Sequence, residues 1–150
     1  MSLQFYFSGG GSLSGVLGGA ISSTQVTSQA VFPNVSEAEA LTGITQYSSI
    51  YVKNTGVTTI TNVGLYFSSK NTASKVYVGK GITSNLSIPN QNTAPSDSIV
   101  FDNTVLKYAP LVIASSLAPN ASIQIWLKRV FQVNSPGSSN DYFILSGTFN

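Results

Sequence analysis

Runs of alternating apolar and polar residues dominate the chain and predict β-strands. In residues 47–54, Ile50 and Val52 fall on one face while Tyr51 and Lys53 fall on the other. This period of two is the signature of a half-buried strand. The alternation continues in later segments, whereas sustained helical periodicity is missing, so strands are predicted to form most of the structure.

The next run, residues 57–67, predicts a second long strand. The spacing of Ile60 is out of phase with the rest of the run, which predicts a bulge near Asn62. Residues 54–56, Asn-Thr-Gly, are turn formers, and we therefore expect a hairpin between the two runs. The apolar residues that share one face of the second run are Val63, Leu65 and Phe67.

Two more long runs lie near the C-terminus, at residues 121–133 and 142–149. A turn over residues 134–137 predicts that they pair antiparallel in the centre of a sheet. Trp126 lies opposite the apolar face of the first run, so it is either packed under a loop or displayed at an interface. That apolar face consists of Ile123, Ile125 and Leu127.

The remaining segments are shorter and separated by connections rich in Ser, Asn and Pro. Ser36 followed by Glu39 fits a capping box, and Gly43 is a stop signal, so one short helix is predicted here. Short strands separated by frequent turns predict an all-β sandwich or barrel. The shorter strand candidates are residues 3–7, 20–26, 75–78, 98–101 and 111–113.

A glycine-rich stretch, residues 8–19, follows the first strand candidate and favours irregular backbone. We expect residues 1–19 to form a strand and a glycine-rich N-terminal arm, and residues 20–150 to form a single β-sandwich domain. A phosphate-binding loop would need a Lys directly after the glycines, but the first lysine is Lys53. The stretch therefore does not predict a nucleotide site.

Charged residues make up only 8% of the chain, against roughly 25% in ordinary soluble domains. Histidine and cysteine are absent, which excludes Ser-His-Asp and Cys-His catalysis and typical zinc sites. We expect no enzymatic activity, no metal and no cofactor. The alternative is a polysaccharide hydrolase that uses two of the few carboxylates; the acidic residues are Glu37, Glu39, Asp97, Asp102 and Asp141.

The formal net charge is +2, and the densest basic cluster is the pair Lys128 and Arg129. Proteins that bind nucleic acid concentrate many more basic residues, so no nucleic-acid partner is expected and the pair is interpreted as solvated side chains near a strand end. No segment has the ~20 apolar residues that span a bilayer. Residues 1–7 lack the basic and apolar regions of a leader, so we expect synthesis in the host cytoplasm and no membrane partner.

Three consecutive aromatic residues, Phe5, Tyr6 and Phe7, adjoin the glycine-rich stretch. Because side chains alternate along a strand, at least one of them should point away from its own core. This position favours a contact between subunits. The residues predicted to contact another protein subunit, either a copy of this chain or a different partner, are Phe5, Tyr6, Phe7, Leu13, Val16 and Leu17.

Several segments, in this order along nearly the whole chain, resemble a family of small virion structural proteins of tailed bacteriophages. The resemblance implies an immunoglobulin-like antiparallel β-sandwich that serves as a component of the particle. One departure is Ser48-Ser49, where relatives are expected to carry Arg-Cys. The segments that carry the resemblance are residues 4–10, 17–24, 35–39, 50–56, 61–66, 125–126 and 140–141.

Within that family, we expect a capsid decoration or cement protein on the outside of the shell. Its partners would be the major capsid protein and copies of itself, in a homo-oligomer that analogy with other decoration proteins suggests is a trimer. The alternative is a tail, baseplate or fibre component, including a host-recognition module that binds glycan through an exposed Tyr or Trp.

Overall fold

A computed structural model describes residues 3–9, 13–27, 29–71, 74–133 and 142–150. Over these residues the chain forms strands joined by loops and one short helix. The elements are β1 Leu3–Ser8, β2 Leu17–Gly18, β3 Ile21–Gln25, α1 Glu37–Thr42, β4 Ile44–Asn54, β5 Ile60–Asn71, β6 Lys75–Lys80, β7 Ser87–Ile88, β8 Leu111–Leu117, β9 Ser122–Phe131 and β10 Tyr142–Thr148.

Two antiparallel sheets form a sandwich, which confirms the predicted all-β fold class. Sheet 1 has the strand order β3-β1-β4-β9-β6, and sheet 2 has the order β10-β5-β8. Immunoglobulin constant domains order one sheet A-B-E-D and the other C-F-G. Here β1-β4-β9-β6 corresponds to A-B-E-D and β5-β10 to C-F, while β8 pairs on the other side of β5.

One apolar core fills the space between the two sheets. The alternation in the sequence correctly identifies its members, because residues two apart share a face. Phe143 of β10 packs edge-on against Phe67 with 5.8 Å between ring centroids. The buried residues from the long strands are Ile50, Val52, Val63, Leu65, Phe67, Val76, Val78, Ile125 and Leu127.

The predicted helix is confirmed as α1, with its capping box. Ser36 Oγ accepts a hydrogen bond from the Glu39 amide, and the Ser36 amide donates to Glu39 Oε1, both at 3.2 Å. These two bonds satisfy amides that a helix N-terminus otherwise leaves unpaired. The helix ends at Gly43, whose φ of 84° suits glycine.

The predicted hairpin after β4 is wrong, because β4 and β5 belong to different sheets. The connection is an arch that crosses from sheet 1 to sheet 2. Asn54 fixes it: its side-chain Nδ2 donates to the carbonyls of Thr58 at 2.8 Å and Leu117 at 2.9 Å, and its Oδ1 accepts from the Gly56 amide. Residues 54–56 therefore form part of a connection between the two sheets and not the turn of a hairpin.

The predicted pairing of the two C-terminal strands is also wrong. β9 lies between β4 and β6 in sheet 1, whereas β10 pairs with β5 in sheet 2. Residues 134–137, predicted to be the turn, lie outside the described residues. The long strands separate because each one completes a different face of the core.

Two local predictions on irregular backbone have different outcomes. The bulge near Asn62 is confirmed: Asn62 has a φ of 52°, and the β5–β8 register shifts between Val63 and Gly64. The strand predicted over residues 98–101 is wrong. That segment forms no ladder, and the nearby pairing is a single bridge between Val78 and Asp102.

Candidate interaction surface

The outer face of sheet 1 is covered by loops, which we call the cover: residues 13–20 and 81–101. Leu17 and Ile88 of the cover are buried against Trp126, which is fully enclosed. The short ladder between β2 and β7 joins the two halves of the cover. This arrangement decides between the two predicted positions of Trp126, because the side chain lies under a loop.

Two polar residues on the outer face of sheet 1 attach the cover. Gln124 Nε2 donates to the Leu86 carbonyl at 2.9 Å, and its Oε1 accepts from the Leu86 amide at 3.2 Å. The Tyr51 hydroxyl lies 2.6 Å from the Gly19 carbonyl oxygen and 2.9 Å from Asn85 Oδ1. Burial raises the pKa of Tyr51 above its ordinary value. Because these bonds replace water, the cover is an integral third layer.

The glycine-rich segment therefore folds back over the sheet, and β1 lies between β3 and β4 in the same sheet. Gly18, with a φ of 88°, allows this close approach: a Cβ there would lie 3.1 Å from the Trp126 ring. A residue with a side chain would also meet the Leu86 carbonyl. The described part of the segment is thus fixed to the body of the sandwich instead of projecting as an arm.

The six predicted contact residues are not brought together on one surface. Phe7 and Leu17 are buried within the chain, in the main core and under the cover respectively. Phe5 is half-buried and packs against the main core. Tyr6 points to the other side, where its ring lies below the Lys53 ammonium, as the alternation requires. The remaining two are Leu13, which is half-buried, and Val16, which is 70% exposed.

Sheet 2 presents a second surface, which we call the open face. Its residues alternate with the buried residues of β5 and β10 and so point away from the core. Val112 is 62% exposed and Ile144 is 51% exposed, and Ser146 Oγ donates to Ser68 Oγ at 2.8 Å. The residues of the open face are uncharged: Ser68, Val112, Ile144, Ser146 and Thr148. The sequence pattern does not predict this surface, because alternation does not show which face of a sheet is covered by a loop.

The basic pair is not solvated as predicted. Arg129 points to the inner side of β9, where Nη2 donates to the Pro33 carbonyl at 2.6 Å and Nε donates to Gln46 Oε1 at 3.1 Å. Its guanidinium also lies over the ring of Phe32. The Lys128 ammonium lies over aromatic rings on the other side of the strand. Both cationic side chains are therefore stabilised by packing against aromatic rings.

Asp97 and Asp102 accept hydrogen bonds within loops, whereas Glu39 caps α1. Hydrogen bonds from the Thr83 amide and hydroxyl lower the pKa of Asp97, and the same kind of bonds from Thr104 lower the pKa of Asp102. Asp141 lies outside the described residues. Among the described residues, acidic side chains do not group into a set of three that could hold a metal ion, and α1 is too short to span a membrane.

A cavity of about 500 Å³ lies beside β10 and is lined by residues of sheet 1 and by residues 26–27 and 29–32. Its walls are mostly apolar, and Arg129 contributes the one charged side chain among the described lining residues. Phe143 is shared between this cavity and the main core. The apolar lining residues are Phe5, Val26, Val31, Phe32, Ile50, Val76, Leu127, Phe143 and Leu145.

A polar groove of about 630 Å³ lies between the loop 81–85 and the facing ends of β8 and β9. Serine, threonine and asparagine side chains line it. Its one aromatic residue among the described lining is Tyr51, which is buried. Sugar recognition commonly uses an exposed ring as a stacking platform, and the groove does not supply one.

Comparison of the chain with family models, with curated proteins and with solved structures finds no match.

Proposed function

We propose that the protein is a non-enzymatic structural component of a bacteriophage virion that decorates and cements the outside of the capsid shell. The observation that carries the proposal is the open face of sheet 2, an uncharged surface with exposed aliphatic side chains on a scaffold whose other sheet is covered. The resemblance of segments along nearly the whole chain to small phage virion proteins supports the same function.

The chemistry of the open face suits attachment to another protein surface. Aliphatic and hydroxyl groups can be buried without an unpaired charge, whose desolvation would cost several kcal/mol. The low charge of the chain also limits repulsion between copies that sit side by side. Binding only to the assembled shell shifts the equilibrium toward assembly, so many weak contacts stabilise the particle.

Recombinant protein added to purified particles that lack it tests the proposal. Val112→Glu places a carboxylate in the open face, and we expect at least about a tenfold loss of particle binding, which corresponds to about 1.4 kcal/mol. Val57→Glu is the matched control, because Val57 is 93% exposed in the arch outside the open face. Equal binding by both variants would contradict the role of the open face.

The number of copies per particle tests the location. Quantitative mass spectrometry of purified particles should give hundreds of copies for a decoration protein, since it follows the capsid lattice. Few copies, together with saturable sugar binding by the isolated protein, would instead assign it to a tail or fibre. Absence from mature particles would overturn the proposal as a whole.

A further inference from the structure

Sheet 2 is two strands narrower than sheet 1 over the described residues. In the immunoglobulin order, strand G pairs with the free edge of strand F. β10 occupies the position of F, and in the part of the chain that the structure describes it pairs with β5 alone. Over its described residues, the sandwich thus corresponds to an immunoglobulin-like domain in which the place of strand G beside β10 is unfilled.

The free edge of β10 lacks two of the devices that usually protect an edge strand, charged side chains and proline. Its ladder with β5 has one register shift, between Ile144 and Leu145. The edge strand β6 of sheet 1 is protected, with Lys75 and Lys80 at its ends and a bridge from Val78 to Asp102. β10, with the sequence YFILSGT, has no charged residue and no proline.

The apolar cavity lies beneath this same edge. Tyr142 to Leu145 line it from β10, and residues 26–27 and 29–32 also line it. A strand added along β10 would direct every second side chain toward the core layer, where the cavity offers apolar walls. A free ladder edge and an unfilled apolar space beside it are the two features that strand addition requires.

We propose that β10 binds an extended segment of another polypeptide as the missing strand, with apolar residues at alternate positions entering the cavity. Backbone hydrogen bonds to Tyr142–Leu145 would hold the segment, and the cavity would select its side chains. The walls of the cavity are mostly apolar, so the bound segment needs apolar side chains at the alternate positions that face it. The proposal stands whether or not the protein belongs to a phage particle.

A short synthetic peptide that alternates Val and Thr, with Asp at each end for solubility, is the probe. We expect saturable binding to the full chain and at least about tenfold slower hydrogen exchange at those amides of residues 142–145 that point away from β5, because successive amides of a strand point to opposite edges. A peptide with the same composition in scrambled order should bind at least about tenfold more weakly. A peptide that is N-methylated at both Val and Thr retains the side chains but loses the backbone donors on both edges, and it should also bind at least about tenfold more weakly.

Two protein variants locate the site. Ala30→Trp places a large ring at the exposed mouth of the cavity, and Ile144→Lys puts a charge on β10; each should lower peptide affinity about tenfold or more. Ala38→Trp on the exposed face of α1 and Val112→Lys on β8 are the matched controls, and their affinities should stay within about twofold of the parent. Because Val112→Lys alters the open face, retained peptide binding separates this site from the capsid contact.

The following results would overturn the proposal. Absence of protection at residues 142–145 at saturating peptide would do so, as would equal binding of the scrambled or N-methylated peptide. Protection of the same amides without peptide, in a dimer that Ile144→Lys dissociates, would assign the edge to a second copy of this chain. Binding of an apolar dye in the cavity without any amide protection would assign the cavity to a small apolar ligand.

Discussion

Replacement of Asn54 by alanine tests the arch that carries the chain between the two sheets. Asn54 is fully buried, and its amide group bonds to the carbonyls of Thr58 and Leu117 and to the amide of Gly56. An ordinary hydrogen bond contributes about 1 kcal/mol net to stability, and a buried group left unpaired costs about 1–3 kcal/mol. Thr58 and Gly56 are partly accessible to water, so only the carbonyl of buried Leu117 stays unpaired.

The two bonds to Thr58 and Gly56 at about 1 kcal/mol each, with about 1–3 kcal/mol for the unpaired carbonyl of Leu117, predict that Asn54→Ala lowers the free energy of unfolding by about 3–5 kcal/mol. This is a large part of the roughly 5–15 kcal/mol typical of a domain. Urea unfolding followed by fluorescence measures it, because Trp126 is the single tryptophan and is fully buried. Asn34→Ala, at an exposed site, is the control. A loss below about 1 kcal/mol, or one equal to the control, would refute this account of the arch.

Asn54→Asp adds a pH dependence to the same test. The carboxylate would be buried opposite two carbonyl oxygens, so its pKa in the folded state would be raised above that in the unfolded chain. A raised pKa stabilises the fold below the unfolded value, and this contribution is lost as the pH rises through the folded value. The variant should therefore be less stable at pH 7 than near pH 4 relative to the parent, and the opposite trend would contradict the assignment.

Three further predictions concern the cover, the inner arginine and the loops. Gly18→Ala should lower the free energy of unfolding by about 1–3 kcal/mol more than Gly19→Ala. Both glycines have a positive φ, but only at Gly18 would an added Cβ meet the Leu86 carbonyl and Trp126. Equal losses in urea unfolding would contradict close packing of the cover on sheet 1. Arg129→Lys should lower the free energy of unfolding by about 1–3 kcal/mol, because lysine cannot reproduce the bonds to Gln46 and Pro33. Unchanged stability would show that these contacts do not stabilise the fold. The lowered pKa of Asp97 predicts stability that is present above its unfolded pKa and decreases as the pH falls through the folded value; Asp97→Asn should flatten that decrease in acid unfolding curves.

The elements of the fold follow from the sequence more readily than their pairing. Alternation is local, so it identifies β4, β5, β9 and β10 without information on their neighbours. The residues of the arch, Asn-Thr-Gly, suit either a hairpin or a crossing between sheets. What decides between them is the bond from Asn54 to Leu117, which is 63 residues away in the chain. The local spacing of apolar and polar residues cannot predict a contact between residues so far apart in the chain.

The candidate surfaces are less accessible to sequence reasoning. Aromatic residues near glycines predicted a contact region, yet Phe7 and Leu17 are used in the chain's own core layers. One available signal was β9, where Trp126 faces opposite to Ile125 and Leu127. A strand with large apolar residues on both faces is buried on both. This pattern identifies sheet 1 as the sheet whose outer face is covered, so the exposed outer face belongs to sheet 2.

The proposed attachment uses sheet 2, since both faces of sheet 1 are packed in the part of the chain that the structure describes. The chemistry of the open face predicts how this proposed binding responds to salt. The open face has no charged residue, so its binding involves little screened Coulomb energy or counterion release. Binding of the protein to particles should change less than about twofold between 50 and 500 mM salt, whereas a surface held by several phosphate contacts would lose orders of magnitude. Cosedimentation across that range measures the slope. A steep loss would mean that charged residues outside the open face hold the protein in place.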